Sequence, residues 1–322
     1  MSSKTVSSTV FRKLTLATLV ALTALIATGT WVRLSESGLG CTTWPACTSK
    51  DVIAPGTYHS LIEFTNRMTI VVIGILVVAV FVLSLLRWSR RRDLVLLSAG
   101  LIIGYLGEAV LGGITVLLKL APPLVAAHLV LALVLVADGT VLHWRAGIDD
   151  SVVVRSKLPT LPGPMMTLSS IMMVAFWVIV ILGTIVTGTG PHSGKPGTPR
   201  FHLSLGGIME IHAAVGLVLY GVAVALWVSL LAIHAAKDTA RRAHVVVILL
   251  TLQGVFGYAV WFTKFSVIPS EVHTLGSALL LIALVRFRLG LYSHALPDEV
   301  PAEINDTSAE RALTSSAADT RS

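Results

Sequence analysis

Long apolar runs separated by short polar segments dominate the sequence. Eight runs are near the roughly 20 residues that an α-helix needs to cross a bilayer. Their approximate spans are 15–34, 60–86, 94–118, 122–143, 168–188, 207–234, 245–263 and 271–290. The first run has no clear small-x-small cleavage site, so we interpret it as a retained helix and not a signal peptide. The pattern predicts an all-α polytopic membrane protein with eight transmembrane helices.

Composition agrees with this fold class and excludes a water-soluble domain. Hydrophobic residues make up 54% of the 322 residues and charged residues only 13%, and the mean hydropathy is +0.83. In such a chain the net charge of +7 concerns membrane topology. We therefore expect membrane lipid, and no nucleic acid, among the partners.

Lysine and arginine are concentrated in one set of loops. That set holds Lys4, Arg12, Lys13, Arg87, Arg90, Arg91, Arg92, Arg145, Arg155, Lys157, Lys237, Arg241, Arg242, Arg286 and Arg288. The opposite set holds only Arg33, Lys50, Lys119, Lys195, Arg200 and Lys264. Because cytoplasmic loops carry the excess of positive residues, we expect a multi-pass plasma-membrane protein with both termini in the cytoplasm.

An internal repeat relates the two halves of the chain. Residues 108–112 in the third helix match residues 253–257 in the seventh, and His128 matches His273, both at an offset of 145. Asn66 matches His212 at an offset of 146. A repeat of four spans keeps its orientation, which predicts two tandem four-helix bundles related by a parallel internal repeat.

The repeat also sets the predicted domain boundaries. They are a cytoplasmic N-terminal tail 1–14, an N-terminal four-helix unit 15–145, a cytoplasmic linker 146–166, a C-terminal four-helix unit 167–290, and a disordered cytoplasmic tail 291–322.

Four polar residues form one stripe at the start of the second helix. His59, Glu63, Asn66 and Arg67 are spaced i, i+4, i+7 and i+8, which places them on one helix face. Ionisable groups inside a bilayer are costly and mark a functional site by default. A simpler interpretation is an i,i+4 pair in which Glu63 and Arg67 neutralise each other, but it gives no role to His59 and Asn66. We expect Glu108 in the third helix to be the only other membrane carboxylate near the core of this unit, and Glu108→Gln to be milder than Glu63→Gln.

Two histidines lie at matching depth in the C-terminal unit, His212 on the sixth helix and His273 on the eighth. Bundles bind cofactors through side chains on facing helices, and haem iron accepts imidazole ligands. We therefore expect a bis-histidine haem there, suited to electron transfer. The N-terminal unit keeps His128 but has Asn66 as its partner, with His59 two turns away. An open or labile position beside Glu63 is what substrate oxidation would need.

Cys41 and Cys47 are the only cysteines and share one loop. Two thiols are too few for a zinc or iron–sulfur site. If the loop faces an oxidising compartment, a disulfide is the expected product.

Several motifs together resemble those of haem A synthase, the membrane enzyme that oxidises the C8 methyl of haem O to a formyl group. They are VRLSESGLGC at 32–41, WPAC at 44–47, EFTNR at 63–67, LGGITV at 111–116, TGTGPHSG at 187–194, and the segments around His128, His212 and His273. The resemblance covers about residues 15 to 290, and the first two motifs are the most specific.

This resemblance implies a role for each unit. The C-terminal unit would hold a haem b cofactor through His212 and His273, and the N-terminal unit would hold the haem O substrate near Glu63. Two successive hydroxylations would give a gem-diol that loses water to form the aldehyde. The resemblance also implies a Cys41–Cys47 disulfide on the outside. Haem O synthase and a quinol or other redox partner are the expected partners in haem A and porphyrin biosynthesis.

The sequence departs from the family pattern at two positions. Many members have histidine where this chain has Asn66, which leaves His128, His59, Asn66 and Arg67 as the residues expected to surround the substrate haem. Members commonly have an acidic residue at the position of Lys195.

Two alternatives from other classes stay open. A di-haem b-type electron-transfer cytochrome would have two equivalent bis-histidine sites and no need for Glu63. A haem-free transporter with a parallel repeat would use Glu63 and Arg67 as a substrate or proton site and would bind no pigment.

Overall fold

The computed structural model describes residues 6–87, 91–149, 157–192 and 194–294. Within these residues the chain forms eight α-helices and two short strands. In chain order they are α1 (Ser8–Leu34), α2 (Tyr58–Leu85), α3 (Arg92–Leu117), α4 (Pro122–Ala146), β1 (Lys157–Pro159), α5 (Gly163–Thr189), α6 (Leu205–Ala232), α7 (Lys237–Phe262), α8 (Val267–Leu289) and β2 (Tyr292–His294).

Each of the helices in the described chain is long and apolar enough to cross a membrane, which confirms the predicted all-α polytopic fold. Three helices begin well before their predicted spans: α1 at Ser8, α5 at Gly163 and α7 at Lys237. The start of α1 is capped by the Ser7 hydroxyl, which accepts the Val10 N–H at 3.3 Å. Polar residues, Lys237 and Asp238, begin α7, and Gly163 and Pro164 begin α5, so hydropathy alone does not include these first turns.

The helices close into two groups of four. Each of α1 and α3 packs against both α2 and α4, and each of α5 and α7 packs against both α6 and α8. The groups meet where α8 packs on α1 and α4 and where α4 packs on α5. The parallel repeat that would relate the groups stays a prediction.

One turn conformation does recur between the groups. Lys119 and Leu120, between α3 and α4, have φ values of 51° and 59°. Lys264 and Phe265, 145 positions later between α7 and α8, have φ values of 53° and 67°. Two consecutive non-glycine residues with positive φ are uncommon, so the two helix turns are built in the same way.

The segment joining the groups pairs with the chain that follows α8. Strands β1 and β2 are antiparallel, with Lys157 opposite His294 and Pro159 opposite Tyr292. The predicted disordered tail therefore does not begin at Leu291, because its first residues form a strand. Residues 295–322, to which the rest of that prediction refers, lie outside the described part.

We call the two membrane faces of the molecule the cysteine end, which holds Cys41 and Cys47, and the arginine end, which holds Arg242 and Arg286. At the cysteine end the loops of the two groups touch. Arg33 donates to the His192 carbonyl at 2.7 Å, and the Gly38 N–H donates to the Gly194 carbonyl at 3.0 Å.

Candidate functional site

Glu63 lies one and a half turns into α2 and is only 4% exposed. Its Oε2 accepts the backbone N–H of Cys41 at 2.7 Å, and its Oε1 accepts Arg67 Nη2 at 2.6 Å. The i,i+4 ion pair of the simpler interpretation is therefore present. The carboxylate has a second partner, because it also accepts a hydrogen bond from the loop that contains Cys41 and Cys47, which we call the cysteine loop.

Arg67 extends the same network to the loop carbonyls. Its Nη1 donates to the carbonyls of Thr43 at 3.0 Å and Ala46 at 3.2 Å. A guanidinium with five donors in a planar fork can serve a carboxylate and several carbonyls at once. Glu63 thus accepts a hydrogen bond from the loop, and Arg67 donates hydrogen bonds to the same loop.

The predicted disulfide between Cys41 and Cys47 is confirmed. The loop it closes packs tightly on two helices. A Cβ at Gly40 would collide with the backbone of His59 and Ser60, and a Cβ at Gly113 of α3 would collide with the Trp44 ring. Glycine is required at both positions for this close approach, and the loop covers the cysteine end of the first helix group.

His59 and Asn66 have separate neighbours. His59 Nδ1 lies 3.0 Å from the Ser37 hydroxyl in the cysteine loop. The Asn66 side-chain carbonyl accepts the Thr28 hydroxyl of α1 at 2.8 Å. The structure therefore places His59 against the loop and Asn66 against α1, and a contact of either with the substrate haem stays a prediction.

Asn66 also lines a cavity of about 460 Å³ between α1 and α2. Its walls are mostly apolar and include Trp31 and Tyr58, and Glu271 of α8 reaches it from the other helix group. Sequence reasoning did not single out Glu271, because nothing in α8 indicates that this carboxylate faces α1 and α2.

His128 of α4 contacts Glu108 of α3 through its Nδ1 atom. Gly112, one turn beyond Glu108, lies against the imidazole, since a Cβ there would stand 3.1 Å from Cε1. Glu108 is therefore in contact with the predicted haem ligand, and the expectation that Glu108→Gln is milder than Glu63→Gln stays a prediction. Asp138 of α4, whose Oδ2 lies 3.0 Å from where a Cβ on Gly100 would be, is a further membrane carboxylate that sequence reasoning overlooked.

His212 of α6 and His273 of α8 face each other in the second group. Their ring centroids are 6.3 Å apart, with an angle of 67° between the ring planes. Each imidazole lies against a glycine: a Cβ at Gly183 would stand 3.1 Å from His212 Cε1, and a Cβ at Gly257 would stand 3.2 Å from His273 Cε1. The Gly257–His273 contact repeats the Gly112–His128 contact at the predicted offset.

The two imidazoles of His212 and His273 are a suitable pair of ligands for a metal that already has other ligands, such as a porphyrin iron. No group of three or more His, Cys, Asp or Glu side chains able to hold a metal ion occurs in the described ranges. Two imidazoles alone do not hold a bare ion, but they complete the coordination of a porphyrin iron. His212 and His273, with ring centroids 6.3 Å apart, are the residues that would hold such an iron.

The sequence model of the COX15-CtaA family, described as cytochrome oxidase assembly protein, matches residues 56–285. The match includes Glu63, His128, His212 and His273. None of the curated proteins matches the chain significantly.

Proposed function

The chain belongs to the COX15-CtaA family of cytochrome oxidase assembly proteins, and on that basis we propose that it is a haem A synthase. The substrate would be haem O, whose C8 methyl is oxidised to a formyl group. The observation that carries the proposal is the difference between the two helix groups. The second group holds the facing pair His212 and His273. The first group has His128 in contact with Glu108 and Asn66 at the counterpart of His212.

The histidine pair of the second group fits a resident haem b. When bound between His212 and His273, that group would supply one-electron transfer. The two glycines beside the rings allow the imidazoles to approach the helix backbone closely, which holds both rings in place. With both histidines as ligands, no position would be left open for a substrate, so this site would be suited to electron transfer and not to substrate chemistry.

The first group fits the substrate haem. His128 would be its iron ligand, with Asn66 replacing a second histidine. Glu63 lies on the same helix as Asn66, one turn earlier, and its carboxylate is fixed by Cys41 and Arg67. Such a carboxylate would accept or return a proton as the methyl is oxidised, or would stabilise positive charge that develops there.

The proposal also implies a membrane orientation and a set of partners. The cysteine end would face outside and both termini the cytoplasm, in agreement with the distribution of lysine and arginine. Conversion of a methyl to a formyl group removes four electrons from that carbon, so an oxidant has to take part: either an electron acceptor with water as the source of oxygen, or dioxygen with a quinol as the co-reductant. Haem O would arrive from its own synthase.

The test is the pigment of the purified full-length protein. We expect haem B together with haem O or haem A after acid–acetone extraction and chromatography, and haem A formation when haem O is supplied in membranes. Haem B alone at two equal bis-histidine sites would support the electron-transfer cytochrome instead. A colourless protein would refute both haem assignments and favour a transporter.

A further inference from the structure

Two arginines share one tryptophan ring at the arginine end. Trp144 lies in the last turn of α4, Arg242 in the first turns of α7 and Arg286 in the last turn of α8. The guanidinium carbons stand 5.1 Å and 5.7 Å from the indole centroid, both within cation–π range. Two like charges are therefore brought together at the junction of the helix groups.

A third cation lies beside them. The Arg12 guanidinium of α1 lies 3.2 Å from where a Cβ on Gly147 would be, just past the end of α4. Gly147 is three residues after Trp144, so the Arg12 side chain lies at the same end of α4. The cluster thus draws on α1, α4, α7 and α8.

Two carboxylates near this end, Asp93 and Asp238, pair with other arginines. Asp93 pairs with Arg91 at 2.8 Å and with Arg145 at 3.6 Å, and Asp238 pairs with Arg241 at 3.2 Å. In the described part of the chain, Arg12, Arg242 and Arg286 have no carboxylate partner. The excess of positive residues in cytoplasmic loops accounts for arginines at this end. It does not account for two guanidiniums that stack on one indole without an anion.

We propose that Trp144, Arg12, Arg242 and Arg286 bind the phosphate headgroup of an anionic phospholipid. Arginine forks match phosphate oxygens, and basic pockets between transmembrane helices at the positive face recognise such headgroups. Below Arg242, α7 exposes the apolar side chains of Val245, Ile248 and Leu252. This surface would accommodate acyl chains, and a free anion would make no use of it.

Native mass spectrometry of the full-length protein in detergent tests the site. The probes are phosphatidylglycerol, phosphatidylcholine with the same acyl chains, and inorganic phosphate. We expect preferential retention of phosphatidylglycerol and roughly a thirty-fold loss of its affinity in the Arg242→Gln, Arg286→Gln double variant. Arg241→Gln is the matched control, because Arg241 is adjacent, 75% exposed and paired with Asp238, and it should bind as the wild type does.

Two results would overturn the proposal: equal retention of the two lipids, or unchanged phosphatidylglycerol affinity in the double variant. Full competition by inorganic phosphate at the lipid concentration would assign the site to free anions and refute the lipid. If the double variant does not accumulate, the single variants replace it, with the rise in melting temperature caused by phosphatidylglycerol as the measurement. A rise equal to that of the wild type in both would again contradict the proposal.

Discussion

The Glu108 carboxylate contacts Nδ1 of His128, whereas Gln253, its counterpart 145 positions later, donates from Nε2 to the backbone carbonyl of His273 at 3.2 Å. A carboxylate beside Nδ1 can accept the proton of that atom, which would leave the Nε2 lone pair for a metal. The same contact would make the imidazole a more basic ligand for a metal ion. The two helix groups therefore present histidines of different character at the same depth.

Glu108→Gln should weaken the binding of haem O, the proposed ligand of His128. Removal of such a supporting carboxylate typically costs about 10- to 100-fold in affinity. Absorbance titration of the purified protein with haem O measures the change, and the haem b bands should stay constant. Glu210→Gln on α6, at an exposed position, is the control. Wild-type affinity in Glu108→Gln would mean that the contact does not support a ligand.

Glu63→Gln should preserve folding and lower haem A formation by on the order of 100-fold. The amide oxygen can still accept the Cys41 N–H. Arg67 keeps the carbonyls of Thr43 and Ala46, so its charge is not left without acceptors. Total membrane haems are extracted and quantified, with accumulation of haem O or a hydroxylated intermediate expected. A normal haem A yield would remove Glu63 from the proposed chemistry, and loss of the folded protein would favour a purely structural ion pair.

His212→Ala and His273→Ala should each remove most of the haem b, because the described part of the second group offers no third ligand at this pair. The reduced-minus-oxidised spectrum of purified protein is the measurement. His244→Ala is a matched control, since that exposed imidazole packs only edge-on against Trp227, with centroids 4.8 Å apart. Full haem b content in both ligand variants would refute the assignment.

Replacing Cys41 and Cys47 with serine should destabilise the protein by roughly 2 kcal/mol, the loop-closure contribution of so short a bridge. The larger effect should fall on haem A formation, because without the bridge the loop no longer fixes the backbone N–H of residue 41, which serine retains, beside Glu63. Thermal unfolding and haem extraction measure the two effects separately. A drop in melting temperature with unchanged haem A formation would show that the bridge is structural alone.

The sequence was most informative where a single helix sets the geometry. Spacing along α2 placed Glu63 beside Arg67, and motif resemblance paired the only two cysteines. Contacts between helices were not predictable in the same way. Nothing in the spacing of α3 shows that Glu108 meets His128, or that Glu271 of α8 reaches a cavity formed by α1 and α2. Helix starts such as Lys237 were also missed, because their first turns are too polar to register in an apolar run.

The β1–β2 pair has a consequence for the order of synthesis. Lys157 leaves the ribosome long before His294, its partner in the strand pair. Strand β1 therefore has no β-partner while the second helix group is synthesised. The β1–β2 pair can form only after translation has passed α8. A chain that stops before Tyr292 would leave the backbone groups of Lys157–Pro159 without that partner. The segment between the two helix groups would then lack its strand pairing.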